Sequence, residues 1–281
     1  MPVAAELRPE QAVVLSRIAR TRAGIMIASD RIALLQQRLW RRLVATGHES
    51  FDGYVAQVSG PGAEGEVQSM IEALTTHTTA FFREASQFEW LRETGLPQLL
   101  DAGAGREQPL VLWSAACSTG AEMWTGAMIL DQFCLSQTQR PRWQVLGSDI
   151  SRRILERASR AIYDESEISG LPETFRQRYL LRSRQRQGSG HVYRISPDLR
   201  RRARLFWANL VDAPPPFDPP ADVVMMRNVL IYFDAGGRDA AVRHVVSRLR
   251  VGGFLLTGHT ESLHPVPPGL VQVGSSIYQK V

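Results

Sequence analysis

Residues 111–125 read VLWSAACSTGAEMWT: an apolar run, a series of small residues, and then the start of a helical pattern. The apolar run Leu110–Trp113 predicts a buried strand over Leu110–Ser114, and the small residues Ser114–Gly120 predict a loop whose main chain a ligand can approach closely. A strand that leads through such a loop into a helix N-terminus commonly binds nucleotide-like ligands. Only Gly120 stands where a dinucleotide fingerprint has three glycines. Alone, the stretch predicts a small-molecule site at the first strand of an α/β sheet.

The chain after this stretch alternates predicted strands and helices, which is typical of a mostly parallel sheet. Further strands are predicted at 144–148, 205–208, 223–226 and 254–257, helices at 122–136, 152–161 and 236–249, and a closing antiparallel hairpin at 269–280. The stretch 179–205 departs from this rhythm, because short β-prone pieces flank a polar turn. It predicts a small antiparallel β insertion.

The first 75 residues carry helix formers and apolar residues at helical spacing instead. Helices are predicted over 6–21, 29–46, 50–59 and 64–74, and a further one over 88–100. Ser29 or Asp30 is the expected N-cap of the second helix, and Gly47 its expected C′ residue. The predicted organisation is a helical domain over 1–75, a linker region over 76–108 that contributes to the ligand site, and an α/β domain over 109–281.

The composition is that of an ordinary globular protein, with 44% apolar and 22% charged residues. No apolar stretch approaches the ~20 residues of a membrane span, and Met1–Gln11 lacks the features of an export signal. Cys117 and Cys134 are expected to be reduced thiols in a cytoplasmic protein, without a disulfide or metal site. The formal charge of +5 comes from arginine, since Lys280 is the only lysine. Arginine suits acidic partners, and nucleic acid is not expected because no recognition module is present.

Two further segments give the 111–125 stretch its meaning: Thr75–Glu84, TTHTTAFFRE, and Asp222–Phe233, DVVMMRNVLIYF. Together with CSTGAE they resemble the CheR family of chemotaxis receptor methyltransferases, over about residues 16–281. The resemblance implies an α/β methyltransferase that uses S-adenosylmethionine and has a Rossmann-like sheet. It also implies an N-terminal all-helical domain and the β insertion. It implies methyl transfer to glutamate side chains of chemoreceptors, with S-adenosylhomocysteine as product and no metal.

The resemblance also assigns residues to the methyl-donor site. The expected donor contacts are His77, Thr79, Arg83, Ala116, Glu122, Asp149, Asn209, Leu210 and Asn228. Asp149 is expected at the ribose hydroxyls, or else as a turn or N-cap residue. Glu122 is expected to face the donor's positive charge, or else to stabilise the first turn of its helix. Asn209 and Leu210 are expected near adenine.

Two residues are the predicted catalytic ones. Arg83 is expected to hold the acceptor or the donor carboxylate by a bidentate contact. Tyr232 is expected near the transferred methyl group, where an aromatic face favours a sulfonium-like cation, unless it is a core aromatic residue. No general base is needed, because a glutamate carboxylate is already ionised near neutral pH.

Three positions depart from the family pattern. His77 replaces the usual asparagine, Ala121 the first of two acidic residues, and Met123 a proline. They leave open a degenerate member that binds the donor and signals by contact. An enzyme of the same chemistry that acts on a non-chemotaxis sensor array is a further alternative.

The predicted receptor contact lies on the second helix, where four arginines share one arc: Arg31, Arg38, Arg41 and Arg42. This arc is either a solvated basic face or a docking surface for the acidic cytoplasmic helical bundle of a chemoreceptor. The β insertion matches the subdomain that in some members adds a receptor C-terminal tail as a strand. Its glycines stand at Gly188 and Gly190, shifted from the family's Gly-x-Gly loop. A monomer is expected.

Overall fold

The computed structural model describes residues 6–28, 30–185 and 190–281. Two compact units are present: Met1–Thr76 with Tyr232–Val242, and His77–Ile231 with Arg243–Val281. Ser29 and Gly188, which carry two of the sequence predictions, lie outside the described residues. Within the described ranges, no helix combines the length and the apolar character needed to cross a bilayer.

The first unit is built from helices at the predicted places. They are α1 (Pro9–Ala23), α2 (Ile32–Ala45), α3 (Phe51–Ser59) and α4 (Glu64–Leu74). Leu35, Leu39 and Leu43, spaced by four residues, form the buried stripe of α2. Gly47 has a φ of 74°, as the predicted C′ glycine requires. The predicted N-cap Asp30 is wrong, because the chain turns once more and α2 begins after Arg31.

The predicted helix over 88–100 is present as a longer, interrupted run. It consists of α5 (Ala85–Trp90), a π-helical turn (Leu91–Gly95) and α6 (Leu96–Asp101). Gly95 lies in this turn, where an added Cβ would come within 2.9 Å of the Trp90 ring. The close approach of that ring explains a glycine inside a helical run.

The rest of the chain alternates strands and helices as predicted. In chain order they are β1 (Leu110–Ala115), α7 (Ala121–Ser136), β2 (Trp143–Asp149), α8 (Arg152–Arg160), β3 (Ile162–Asp164), α9 (Glu173–Tyr179), β4 (Leu180–Arg182), β5 (Val192–Ile195), α10 (Pro197–Arg200), β6 (Ala203–Trp207), β7 (Ala221–Met226), a 3₁₀ turn (Leu230–Tyr232), α11 (Ala235–Ser247), β8 (Leu249–Thr257), β9 (Leu270–Gly274) and β10 (Ile277–Lys280). The strand β8 begins five residues earlier than predicted.

Seven strands form one sheet in the order β6-β2-β1-β7-β8-β10-β9. The first five are parallel, and β10 runs antiparallel to both of its neighbours, as the closing hairpin predicts. Every residue of β1 and β7 is buried, which agrees with their uninterrupted apolar sequence. From β1 the chain continues to β2 on one side, while β7 lies on the other. The order therefore reverses beside β1, which is where such sheets bind ligands.

A second, antiparallel sheet has the order β3-β5-β4. The β-prone pieces of the predicted insertion lie at 179–181 and 191–195, and the strands that form there, Leu180–Arg182 and Val192–Ile195, pair antiparallel. The strand Ile162–Asp164 was not expected, since three residues with alternating exposure carry little signal. The small sheet therefore includes residues that precede the predicted insertion at 179–205. The last residues of that insertion belong to β6 in the large sheet.

Candidate methyl-donor site

Most of the predicted donor residues lie at one edge of the second unit's large sheet. Ala116 follows β1, Asp149 ends β2, Asn209 and Leu210 follow β6, and Asn228 follows β7. The carboxyl ends of parallel strands share an edge, so these residues come together although they are far apart in sequence.

The loop between β1 and α7 follows an unusual backbone path. Ala116 and Ser118 have left-handed φ angles of 64° and 53°, and Gly120 has 89°. A Cβ on Gly120 would lie 3.0–3.1 Å from Trp124, Ala158 and the Tyr163 hydroxyl. This position therefore demands glycine both for its φ angle and for space. The other two left-handed residues, Ala116 and Ser118, are small. They adopt the positive φ angles for which a dinucleotide fingerprint uses glycines.

Asp149 fastens this loop to the end of β2. Its Oδ2 accepts a hydrogen bond from the Ser118 amide at 3.0 Å, and its Oδ1 accepts from the Ser151 amide at 3.0 Å. Burial raises the pKa of the Asp149 carboxyl, while the Ser151 hydrogen bond and the charge of His77 act in the opposite direction. The N-cap of α8 is Ser151, whose Oγ accepts from the Ile154 amide. Asp149 thus makes a turn contact, and each oxygen retains capacity to accept a further bond.

Glu122 lies at the start of α7 in an ion-pair cluster. Its carboxylate accepts from Ser114 Oγ at 2.8 Å and from Arg227 Nη1 at 3.0 Å. Arg227 Nη2 is also 3.1 Å from Glu84 Oε2. Burial raises the pKa of Glu122, and Arg227 partly offsets this. Two carboxylates share one guanidinium, so the ionised cluster carries a net charge of −1 and matches a cationic ligand.

Asn228, predicted at the donor's amino-acid end, is held in a left-handed conformation with a φ of 56°. Its amide donates to Glu261 Oε2 at 2.5 Å, and its Nδ2 donates to Glu84 Oε1 at 3.2 Å. Glu261 is 1% exposed and also accepts from the amides of Gly258 and Ile231. The buried carboxylate organises the turn after β7 by accepting three backbone N–H groups.

Arg227, Glu84 and Glu261 were missed from the sequence. A local signal existed for the first two, because each is a charged residue directly beside a predicted site residue, in the pairs Arg83-Glu84 and Arg227-Asn228. An arginine straight after the apolar strand β7 is buried unless the chain turns outward, and it then needs carboxylate partners. Nothing local indicated Glu261, which lies in a loop after β8.

The segment 77–84 contributes three predicted residues. The His77 carbonyl accepts from Ser118 Oγ at 3.0 Å, which joins this segment to the loop after β1. Thr79 is half-buried, and Arg83 is exposed with Nη1 3.3 Å from the Thr78 carbonyl. The carboxylate contact expected of Arg83 stays a prediction.

Phe81 and Phe82, in the same segment, pack within the second unit. Phe81 is 3% exposed and meets the Tyr163 ring edge-on at 4.9 Å. Phe82 contacts the rings of Phe88 and Phe175. The pair therefore anchors the 77–84 segment to the hydrophobic core.

After β6, Asn209 and Leu210 are 9% and 5% exposed. Asn209 Oδ1 accepts from the Val211 amide at 3.4 Å, and the Leu210 carbonyl lies 3.0 Å from His244 Nδ1. Their predicted adenine contact stays a prediction, as do the ligand roles of the other site residues.

The remaining predicted residues belong to the first unit. The Tyr232 carbonyl accepts from the Met26 amide at 2.7 Å. Arg38 donates to the Leu74 carbonyl and to Thr76 Oγ1, and Arg42 forms a bidentate pair with Glu66. The other two arginines of the arc, Arg31 and Arg41, are exposed. Half of the predicted docking arc thus has partners inside its own unit.

Comparison with known proteins covers both units. Residues 77–278 match the CheR methyltransferase SAM binding domain, and residues 14–75 match the CheR methyltransferase all-alpha domain. The chemotaxis protein methyltransferase of Escherichia coli (strain K12) is 33% identical over 267 residues, which cover 94% of this chain and 88% of that protein. That of Borreliella burgdorferi is 29% identical over 250 residues, 89% of this chain and 87% of that protein.

Among solved structures, an O-methyltransferase family protein from Burkholderia thailandensis is 16% identical. The likeness covers 84% of this chain and 56% of that chain, with a TM-score of 0.35.

The parallel sheet, the ligand-approachable loop after β1 and the matched SAM binding domain define a methyltransferase that uses S-adenosylmethionine. The chain belongs to the CheR family. The predicted family, the Rossmann-like sheet, the N-terminal helical domain and the small antiparallel sheet are confirmed. Among the residues that the structure describes, no group of three or more His, Cys, Asp or Glu side chains is arranged to hold a metal ion.

Proposed function

We propose that this protein transfers a methyl group from S-adenosylmethionine to glutamate side chains of chemoreceptors, which gives glutamate methyl esters for sensory adaptation. The observation that carries the proposal is the match to chemotaxis protein methyltransferases through both the helical and the SAM-binding regions. An enzyme for a small molecule would not require the helical region to be retained. No observation favours a different sensor array.

The residues of the site fit the donor. Around Ser118 the main chain is open to close approach, because the loop is made of small residues. The Asp149 carboxylate can accept two hydroxyl donors, as a ribose offers. The cluster of Glu84, Glu122 and Arg227 has a net negative charge and suits a ligand with a sulfonium and an ammonium group.

When bound, S-adenosylmethionine supplies an electrophilic methyl group on a sulfonium sulfur. The protein's task is to align the two reactants and exclude water, because the acceptor carboxylate is already a nucleophile. Asp149 and Glu122 orient the donor in this proposal, while Asn209, Leu210, Ala116, Thr79 and Asn228 complete its binding. Arg83 is the proposed partner of a carboxylate, and Tyr232 is the proposed aromatic contact of the transferred methyl group.

Receptor recognition is proposed for the exposed arginines of α2. Arg31 and Arg41 have side chains free to meet acidic helices, whereas reversing the charge of Arg42 would break its pair with Glu66. The informative variant is therefore Arg31→Glu/Arg41→Glu. It should raise the receptor KM several-fold with the donor Kd unchanged, and an unchanged KM would reject this docking face. Tail binding at the small sheet, a monomeric state and a cytoplasmic location remain parts of the proposal.

The first experiment is calorimetric titration with S-adenosylmethionine and S-adenosylhomocysteine. Asp149→Ala should raise both Kd values about 10- to 100-fold, since charged hydrogen bonds contribute ~1.5–3 kcal/mol. The matched control is Glu156→Ala, an exposed carboxylate on α8 that should leave both values unchanged.

The second measurement is transfer of labelled methyl to chemoreceptor-containing membranes. A glutamate methyl ester should release volatile methanol on treatment with base, whereas a methylated amine or thioether should not. Donor binding without any transfer to receptors would contradict the proposed function and favour the degenerate, donor-binding alternative.

A further inference from the structure

Arg227 is a buried cation held between two carboxylates from separate segments of the second unit. Its side chain is 1% exposed, with Nη1 3.0 Å from Glu122 and Nη2 3.1 Å from Glu84. The guanidinium also lies 5.1 Å from the centre of the Phe88 ring. Removing a guanidinium from water is costly, so the interior tolerates this one because two carboxylates and a ring face surround it.

The same guanidinium bonds to the backbone of the segment that carries Arg83. Nη2 donates to the Arg83 carbonyl at 2.5 Å, beside its contact with Glu84. One side chain at the end of β7 thereby joins the 77–84 segment to the first turn of α7. The planar guanidinium fixes the directions of the bonds from Nη1 and Nη2, which a lysine cannot reproduce.

Glu84 receives further bonds that lock its position. Asn228 Nδ2 donates to Oε1 at 3.2 Å, and the His259 amide donates to Oε2 at 3.2 Å. The carboxylate is therefore held from the ends of β7 and β8 at once.

The backbone on either side of Arg83 is strained. Phe82 and Glu84 have left-handed φ angles of 53° and 57°, which side chains with a Cβ rarely adopt. Such a conformation persists only where surrounding contacts hold it. Here the Phe82 amide donates to Thr125 Oγ1 at 3.2 Å, and Arg227 holds the other side of Arg83.

We propose that Arg227 is a positioning residue: it acts through the Arg83 backbone, and it sets where the Arg83 guanidinium meets its carboxylate ligand. The inference rests on the proposed function of Arg83. Its negative partners, Glu84 and Glu122, orient the guanidinium so that it reaches the Arg83 carbonyl.

A double-mutant cycle of Arg227→Lys with Arg83→Ala tests this. Lysine keeps the charge but not the fork, so Arg227→Lys should lower kcat/KM about 100-fold, the scale of a small misplacement in a transfer site. In the Arg83→Ala background the same change should lower kcat/KM much less, because only the part that acts through the pair with Glu122 remains. Equal losses in both backgrounds would overturn the proposal, because Arg227 would then act independently of Arg83.

Two controls keep the result interpretable. Arg243→Lys, on the exposed face of α11, should change nothing. If Arg227→Lys fails to fold, Glu84→Gln loosens the same bridge with an isosteric side chain and enters the same cycle.

Failure of the proposed function is recognised separately. It would appear as a wild-type protein that transfers no methyl to receptors. The cycle is then measured on the Kd for S-adenosylhomocysteine, where non-additivity between Arg227 and Arg83 supports the inference and additivity rejects it.

Discussion

Gly120 permits a direct test of how tightly the loop after β1 is built. The change is Gly120→Ala, at a φ of 89° and with three heavy atoms 3.0–3.1 Å from the new Cβ. A left-handed conformation costs an alanine ~1–2 kcal/mol, and forcing a methyl group into a packed site costs about 1–3 kcal/mol more. We expect the free energy of unfolding of the second unit to fall by about 2–5 kcal/mol.

Gly103 supplies the matched control. Its φ is 91°, nearly that of Gly120, yet an added Cβ would meet nothing within 4 Å. Gly103→Ala should therefore cost only the conformational ~1–2 kcal/mol. The difference between the two variants isolates the steric contribution at Gly120.

Urea unfolding followed by circular dichroism measures both losses, and calorimetry with S-adenosylhomocysteine measures binding. Gly120→Ala should also weaken donor binding at least tenfold, because the methyl group displaces the loop, while Gly103→Ala should not. If the two variants lose equal stability and bind equally well, close packing at Gly120 does not constrain the loop and the reasoning is refuted.

Three further predictions concern charged groups. Burial would raise the pKa of Glu84, but the hydrogen bond from Asn228 and the charge of Arg227 outweigh it and lower this pKa from its usual 4.5. The unfolded state therefore binds more protons than the folded state. As a result, Glu84 stabilises the fold above about pH 4.5. This contribution is lost as the pH falls through the folded pKa, and acid titration of unfolding should be shallower in Glu84→Gln. Asp222→Ala leaves a buried amide of β1 without its acceptor, which should cost ~1–3 kcal/mol in urea unfolding without changing the donor Kd. In the first unit, Arg42→Ala removes the pair with Glu66 and should lower the thermal midpoint of unfolding. Arg41→Ala should leave the free energy of unfolding within about 0.5 kcal/mol of the wild-type value.

The edge of the sheet was predictable because its residues follow their strands directly. An apolar run ended by a polar residue, as in Gln144–Asp149, gives both the strand and the position of the side chain at its carboxyl end. The helices of the first unit were predictable for a similar reason, since their buried faces repeat every three to four residues. Only their termini were in error, as at Asp30.

The pairing of charges was not predictable from local patterns. Arg227 and Glu84 are far apart in sequence, and only the folded sheet brings the end of β7 to the 77–84 segment. For the same reason the arc on α2 reads as a uniform basic face, although Arg42 pairs with Glu66 from α4. A helical wheel shows in which direction each side chain points, but not which residue of a neighbouring helix it meets.

The departures at Ala121 and Met123 fall where a ligand has little access. Both are buried, at 3% and 0% exposure, and Met123 Sδ lies 2.6 Å from where a Cβ on Gly147 would stand. Methionine therefore fills the space that the glycine of β2 leaves. These two positions give no support to a protein that has lost its activity.

His77 is the remaining departure. Its carbonyl accepts from Ser118 Oγ, a bond that any residue provides, while its side chain acts on the charge of Asp149. Because asparagine keeps the backbone bond and is the residue usual in the family, we expect His77→Asn to change the Kd for S-adenosylhomocysteine by less than about threefold, or ~0.6 kcal/mol. Calorimetry at neutral pH measures this directly. A gain of more than tenfold would show that the histidine side chain itself limits binding, and it would turn the departure into an argument for the degenerate alternative.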